Sequence, residues 1–145
     1  MEAKKINNFI YFLRLEKDEE IIDSLKNFSK KNHIKGGFFY GIGAGKDFTL
    51  GYYDLTKKKY LKKVIKKECE ILSLLGNISY LKKEIFIHAH IILADRNFQI
   101  FGGHLFSGRI TATLEIFLIL IEKKIKREFF PDIGLNLISF KKFHQ

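Results

Sequence analysis

Three of the chain's five histidines fall within "IFIHAHIILADRNFQIFGGHLFSG", as His88, His90 and His104. Neutral imidazole suits Zn, Fe, Ni or Cu. On a strand, residues two apart point to the same face, so His88 and His90 project together with Ala89 opposite. That pair is a metal clamp that needs a third ligand. His104 follows the turn "DRN" and one more short apolar strand, on a chain that folds back beside the first. Gly102 and Gly103 let the two backbones approach closely. Three protein ligands and one open position is the arrangement of catalytic zinc, whereas a structural site is closed by a fourth ligand. The spacing therefore points to a divalent metal, Zn first, with room for a small molecule. The plain alternative is a set of histidines hydrogen-bonded inside a core.

Two further residues could assist such a site. Thr111, Thr113 and Glu115 alternate with Ile110, Ala112 and Leu114. Glu115 amid apolar neighbours would be costly to bury alone, so it orients a ligand histidine, handles protons, or pairs with a basic residue. Arg109, just after the Gly-Gly-His stretch, holds a substrate carboxylate or phosphate, or is a surface cation. His33 and His144 have no partner spacing and read as solvent-facing. Cys69 is the only cysteine, which excludes an intrachain disulfide and a thiolate cluster.

The elements that must position these groups read mostly as strands. A length of 145 residues fits one domain, 1–145, with only the extreme termini loose. "NNFIYFLRL" reads as a strand, and Asp18 can cap a helix whose apolar face is Ile21, Ile22, Leu25 and Phe28. "GGFFYGIGAGKDFTLGYYDL" suggests strands joined at a bend. Its "GIGAG" lacks the Lys-Ser/Thr of a phosphate loop. In "KKKYLKKVIKKECE" lysine doublets recur every four residues, which alone suggests a basic amphipathic helix. "CEILSLLGNISYL", "EIFIHAHIIL", "FQIFGGHL", "RITATLEIFLILI" and "KIKREFF" read as separate short strands. The sum is a predominantly β domain with helical cover. No apolar run reaches membrane-spanning length and the N-terminus lacks a signal peptide, so the expected location is the cytoplasm.

The formal charge of +10 favours polyanions such as nucleic acid. Arginine stands only at Arg14, Arg96, Arg109 and Arg127, so lysine carries most of that charge. Lysine is a point charge that often only solvates a surface. For nucleic acid, the expected contacts are the lysines of segment 57–67 with Lys82, Lys83, Lys123, Lys124, Lys126 and Arg127.

The stretch "HAHIILADRNFQIFGGHLFSGRITATLEIF" resembles the signature of the plant and prokaryote conserved domain. The likeness extends upstream through "EEIIDSL", "GGFFYGIGAGKDFTLGYYD" and "ECEILSLLGNIS", and so covers the chain from about Phe9 onward. The resemblance implies an α+β domain, a largely antiparallel sheet with a flanking helix, assembling as a homotrimer. It also implies that "KYLKKVIKK" is a strand, and that the protein is of a type commonly described as DNA-binding. The plant proteins carry AT-hooks beside this domain; here the only proline is Pro131 and no Arg-Gly-Arg triplet exists. The fold so implied is similar to that of acetolactate decarboxylase, an enzyme whose zinc is held by three histidines. That likeness leaves two functions standing: DNA binding beside a metal site, or a zinc-dependent enzyme or small-molecule binder.

Overall fold

The computed structural model of the chain describes residues 1–140, so the reading of His144 concerns a residue outside that range. In chain order the elements are β1 (Glu2–Lys5), β2 (Ile10–Glu16), α1 (Ile21–Lys31), β3 (Gly37–Asp54), β4 (Lys59–Ile65), β5 (Cys69–Leu81), β6 (Glu84–Asp95), β7 (Ile100–Leu120), β8 (Lys126–Phe130) and β9 (Leu135–Ile138). Every strand pairing is antiparallel except β5 with β8. The result is a mostly β fold with one helix among the described residues.

Period-2 alternation explains why these segments are strands. Along β6, Ile87, Ala89, Ile91 and Leu93 are buried, while His88, His90 and Ile92 lie on the other face. Pairings β3–β5, β5–β6, β6–β7 and β7–β3 close a ring around one core that includes Phe39, Phe48, Leu74, Ile91, Leu105 and Ile110. Burying each such side chain contributes about 1.5–3 kcal/mol, so the ring is held by its interior. Helix α1 packs against β6 and β7, burying Ile21, Ile22, Leu25 and Phe28.

The lysine-doublet segment is strand β4, as the family resemblance implies and as its period alone does not. It lies at the edge of β3, and only Ile65 is buried, so no core face imposes a pattern. Four expectations are corrected. The glycine-rich segment is one continuous strand, β3, and "FQIFGGHL" continues into "RITATLEIFLILI" as β7. Register shifts near Gly41, Gly43 and Gly45 take up the bend, as bulges do. At Gly43 a Cβ would sit 2.1 Å from the Thr113 carbonyl oxygen, so glycine is what lets β3 and β7 run this close.

The helix cap is Glu20 and not Asp18, which adopts φ 69° in the preceding turn. The Glu20 carboxylate accepts from Asp23 N at 2.7 Å and from Gly108 N at 2.9 Å, which ties the helix start to β7. Finally, the N-terminus is not loose. Glu2–Lys5 pairs with β2, and the Met1 ammonium meets Glu19 Oε1 at 2.8 Å. No helix among the described residues is long and apolar enough to cross a membrane.

Candidate metal centre

Strand register brings the three histidines together. His90 is the Cα partner of His104 across β6 and β7, and His88 lies two residues before His90 on the same face. One ligand atom from each of His88, His90 and His104 lies within 4.8 Å of the others. Ring centroids are 5.1 Å apart for His88–His90, 5.2 Å for His88–His104 and 5.5 Å for His90–His104. His90 is exposed and the other two are half-buried, so the cluster opens to solvent. On its other side His104 pairs with Gly51 of β3, where an added Cβ would come within 2.8 Å of both the Tyr60 and Phe106 rings.

The residues fit a cation on two counts. His104 Nδ1 is buried with no hydrogen-bond partner, an orphaned lone pair or N–H that a bound ion or its ligand would engage. Burial, then the charges of Arg127 and His90, lowers His88 to about 4. Burial, then His88 and His90, lowers His104 to about 4 as well. Both rings are therefore neutral at pH 7, which is the ligating form.

The walls are aromatic and basic. The Tyr60 ring is 4.9 Å from His104, Phe106 is 4.7 Å from it, and Lys62 Nζ stands 4.2 Å above Phe106. Burial raises the Tyr60 phenol above its ordinary value. Arg127 closes the other side. It was expected on a phosphate-contacting surface, yet it is buried. Its Nε donates to Ser79 Oγ at 2.7 Å, Nη1 to the Asn136 carbonyl at 2.8 Å, and Nη2 to Asn77 Oδ1 at 2.9 Å. Nη2 also lies 3.4 Å from His88 Nδ1, and the guanidinium covers the Phe86 ring at 4.7 Å. A signal for it existed. Asn77 and Ser79 are two polar residues at alternate positions of an apolar strand, and such a pair needs a partner when buried.

Neither Glu115 nor Arg109 joins the histidines. Glu115 is exposed, with Arg14 of β2 and Ile42 of β3 as its Cα partners. Arg109 is exposed, and its Nη1 donates to the Asp18 carbonyl at 2.6 Å. His33 is exposed, as its lack of partner spacing suggests.

The outer face that carries the histidines also carries an apolar row. Register places Phe12, Phe117, Tyr40, Leu75, His90 and His104 in one row across β2, β7, β3, β5, β6 and back to β7. Tyr40 stacks on Phe117 with centroids 5.2 Å apart, and Phe12 meets Phe117 at 3.9 Å. Tyr40 is nonetheless 43% exposed and Leu75 47%.

The mostly β fold with one helix among the described residues has known counterparts. The chain matches the model of the Plants and Prokaryotes Conserved (PCC) domain over residues 4–122, and it belongs to that family. It is similar to the crystal structure of a candidate DNA-binding protein from Bacteroides thetaiotaomicron, with 30% identity and a TM-score of 0.93 over 97% of this chain and 98% of that one. A plant- and prokaryote-conserved protein from Pyrococcus horikoshii has 33% identity and a TM-score of 0.84, over 95% of this chain and 93% of that one. A metal-containing protein from Archaeoglobus fulgidus has 32% identity and a TM-score of 0.83, over 94% of this chain and 99% of that one. No protein of curated function matches.

Proposed function

We propose that this PCC-family protein binds one divalent transition ion, Zn first, through His88, His90 and His104, and presents an open position to a small-molecule ligand. The observation that carries this is the convergence of three imidazoles from facing strands, with His104 Nδ1 unpartnered and no carboxylate or thiol in the group. The Archaeoglobus neighbour, described as metal-containing, supports it. When bound, such an ion supplies Lewis acidity to a carbonyl or lowers the pKa of a water. The chain's own residues shape the approach: Tyr60 and Phe106 form an apolar wall, and Arg127 fixes the far side through Asn77 and Ser79. The supporting roles first read onto Glu115 and Arg109 pass to these groups.

The test is elemental analysis of untagged protein purified without chelator, beside a His88→Ala/His90→Ala variant. One ion per chain that is lost in the variant is expected. Equal, negligible metal in both, even after reconstitution, overturns the reading.

A second reading, binding of DNA through a lysine-rich surface, is favoured by the charge of +10 and by the description of the Bacteroides neighbour. Lys57, Lys58, Lys59, Lys62, Lys63, Lys82, Lys83, Lys123, Lys124 and Lys126 are exposed. Lys26, Lys30 and Lys83 line one concavity with His33 and Tyr80, and Lys124 Nζ stands 3.8 Å over the Tyr80 ring. Fluorescence anisotropy with duplex DNA should show binding that weakens steeply with salt and has little sequence preference. No binding at low salt removes this reading.

We also propose the homotrimer that the family resemblance implies. What supports it is the apolar row that ends at His90, since monomers rarely expose contiguous apolar surface on this scale.

A further inference from the structure

Arg127 is a buried cation whose bonds go only to neutral groups. Among the described residues no ion pair includes it; the ion pairs present are those of Met1, Arg14, Lys57 and Lys67. Burying an unpaired charge is costly, so a site built this way favours a counter-ion. Lys62 adds a second positive charge on the aromatic side, and the histidine trio contributes no negative one. A divalent ion bound there would deepen the imbalance.

Proton bookkeeping at His88 makes the need specific. Arginine only donates, so the contact from Arg127 Nη2 uses the lone pair of His88 Nδ1 and leaves the ring proton on Nε2. A ligating imidazole cannot keep that arrangement. If the metal takes Nδ1, the lone pair is gone; if it takes Nε2, the proton moves to Nδ1. Either way metal loading would strip Arg127 Nη2 of the His88 acceptor.

We propose that the metal-loaded site takes a small carboxylate-bearing ligand, with one oxygen on the ion and the other accepting from Arg127. This rests on the metal reading above. A planar two-oxygen anion meets both demands, and Tyr60 and Phe106 suit its apolar remainder. Exposed His90 leaves the way in from solvent open.

The test uses full-length protein loaded with Co2+, whose visible bands report the ligand set, titrated with acetate and with the neutral isostere acetamide. In the wild type we expect cobalt bands that acetate perturbs at least about tenfold more tightly than acetamide, as one charge-assisted hydrogen bond predicts. Arg127→Met should keep the cobalt bands and lose most of that preference, and Arg127→Lys should retain part of it. Equal response to the two probes in the wild type overturns the proposal, as does a preference undiminished in a folded Arg127→Met protein. Absence of cobalt bands in the wild type removes the metal reading itself, and the ligand with it. Circular dichroism establishes folding of the variants; if neither folds, the wild-type comparison decides.

Discussion

His90 and His104 face each other in register across β6 and β7, and the residue beside His104, Gly103, lies against Gly51 of β3. The position of the third ligand is thus set by how closely two backbones approach. A Cβ at Gly103 would sit 2.8 Å from the Gly51 carbonyl oxygen, a backbone atom that cannot swing aside. Gly103→Ala should push β7 away from β3 and carry His104 with it. We expect metal affinity to fall by about 10–100-fold, the range seen when a ligand's support is lost, and His104→Ala to lose more. Competition against a chromophoric chelator measures both. Unchanged affinity in Gly103→Ala would show that the strand spacing does not set the ligand.

Acid should destabilise the metal-free protein in a defined window. His88 and His104 are lowered from 6.5 to about 4, chiefly by burial. Below pH 6.5 the unfolded chain takes up protons at these rings that the folded chain refuses until about pH 4. Stability therefore falls as pH drops from about 6.5 to about 4, after which both states are protonated and this contribution levels off. Asp95 acts separately. It is held below its ordinary 3.8 by its hydrogen bond from Lys67, so its contribution is present above that value and disappears only at lower pH. Urea midpoints between pH 7 and 4 should decline for the wild type and stay flatter for His88→Ala/His104→Ala.

Much of the site was legible because strand geometry is simple. His-x-His on a period-2 segment must share a face, and Gly-Gly before His104 marks a close approach; both are local facts. Arg127 was not legible as a site residue, because "KIKREFF" looks like solvated charge until β5 supplies Asn77 and Ser79. Glu115 misled for the opposite reason. Its neighbours Leu114 and Ile116 are buried, but alternation turns Glu115 outward. Segment 59–65 was legible as a strand only through the family resemblance, because its lysine period records exposure on nearly all sides and carries no information about backbone twist. The glycines of β3 suggested chain breaks, yet bulges let one strand absorb them.

The row that joins Tyr40 and Phe117 to His90 should be covered by copies of the chain. Tyr40→Glu would place a charge at the centre of that row, against the stacked Phe117 ring. Burying an unpaired carboxylate is unfavourable enough to dissociate an assembly held mainly by apolar contact. Sedimentation equilibrium should give a trimer for the wild type and a monomer for the variant, with far-ultraviolet circular dichroism retained. A wild-type monomer at micromolar concentration would leave the face without this occupant.

Glu20 links the helix to the strand that carries His104. One carboxylate oxygen caps α1 at Asp23 N, which the helix itself leaves unpaired, and the other holds Gly108 N of β7, so a single side chain serves two backbone donors. Glu20→Ala should cost about 1–2 kcal/mol, the usual range for a lost cap, read as a lower urea midpoint at unchanged slope. Glu20→Gln keeps an acceptor at each end only if its amide oxygen is shared, so it should fall between wild type and alanine. Because Gly108 is four residues beyond His104 on the same strand, hydrogen exchange of the Gly108 amide should accelerate in Glu20→Ala. If the midpoint drops while Gly108 stays protected, the carboxylate acts on the helix alone and β7 is held by its strand pairings.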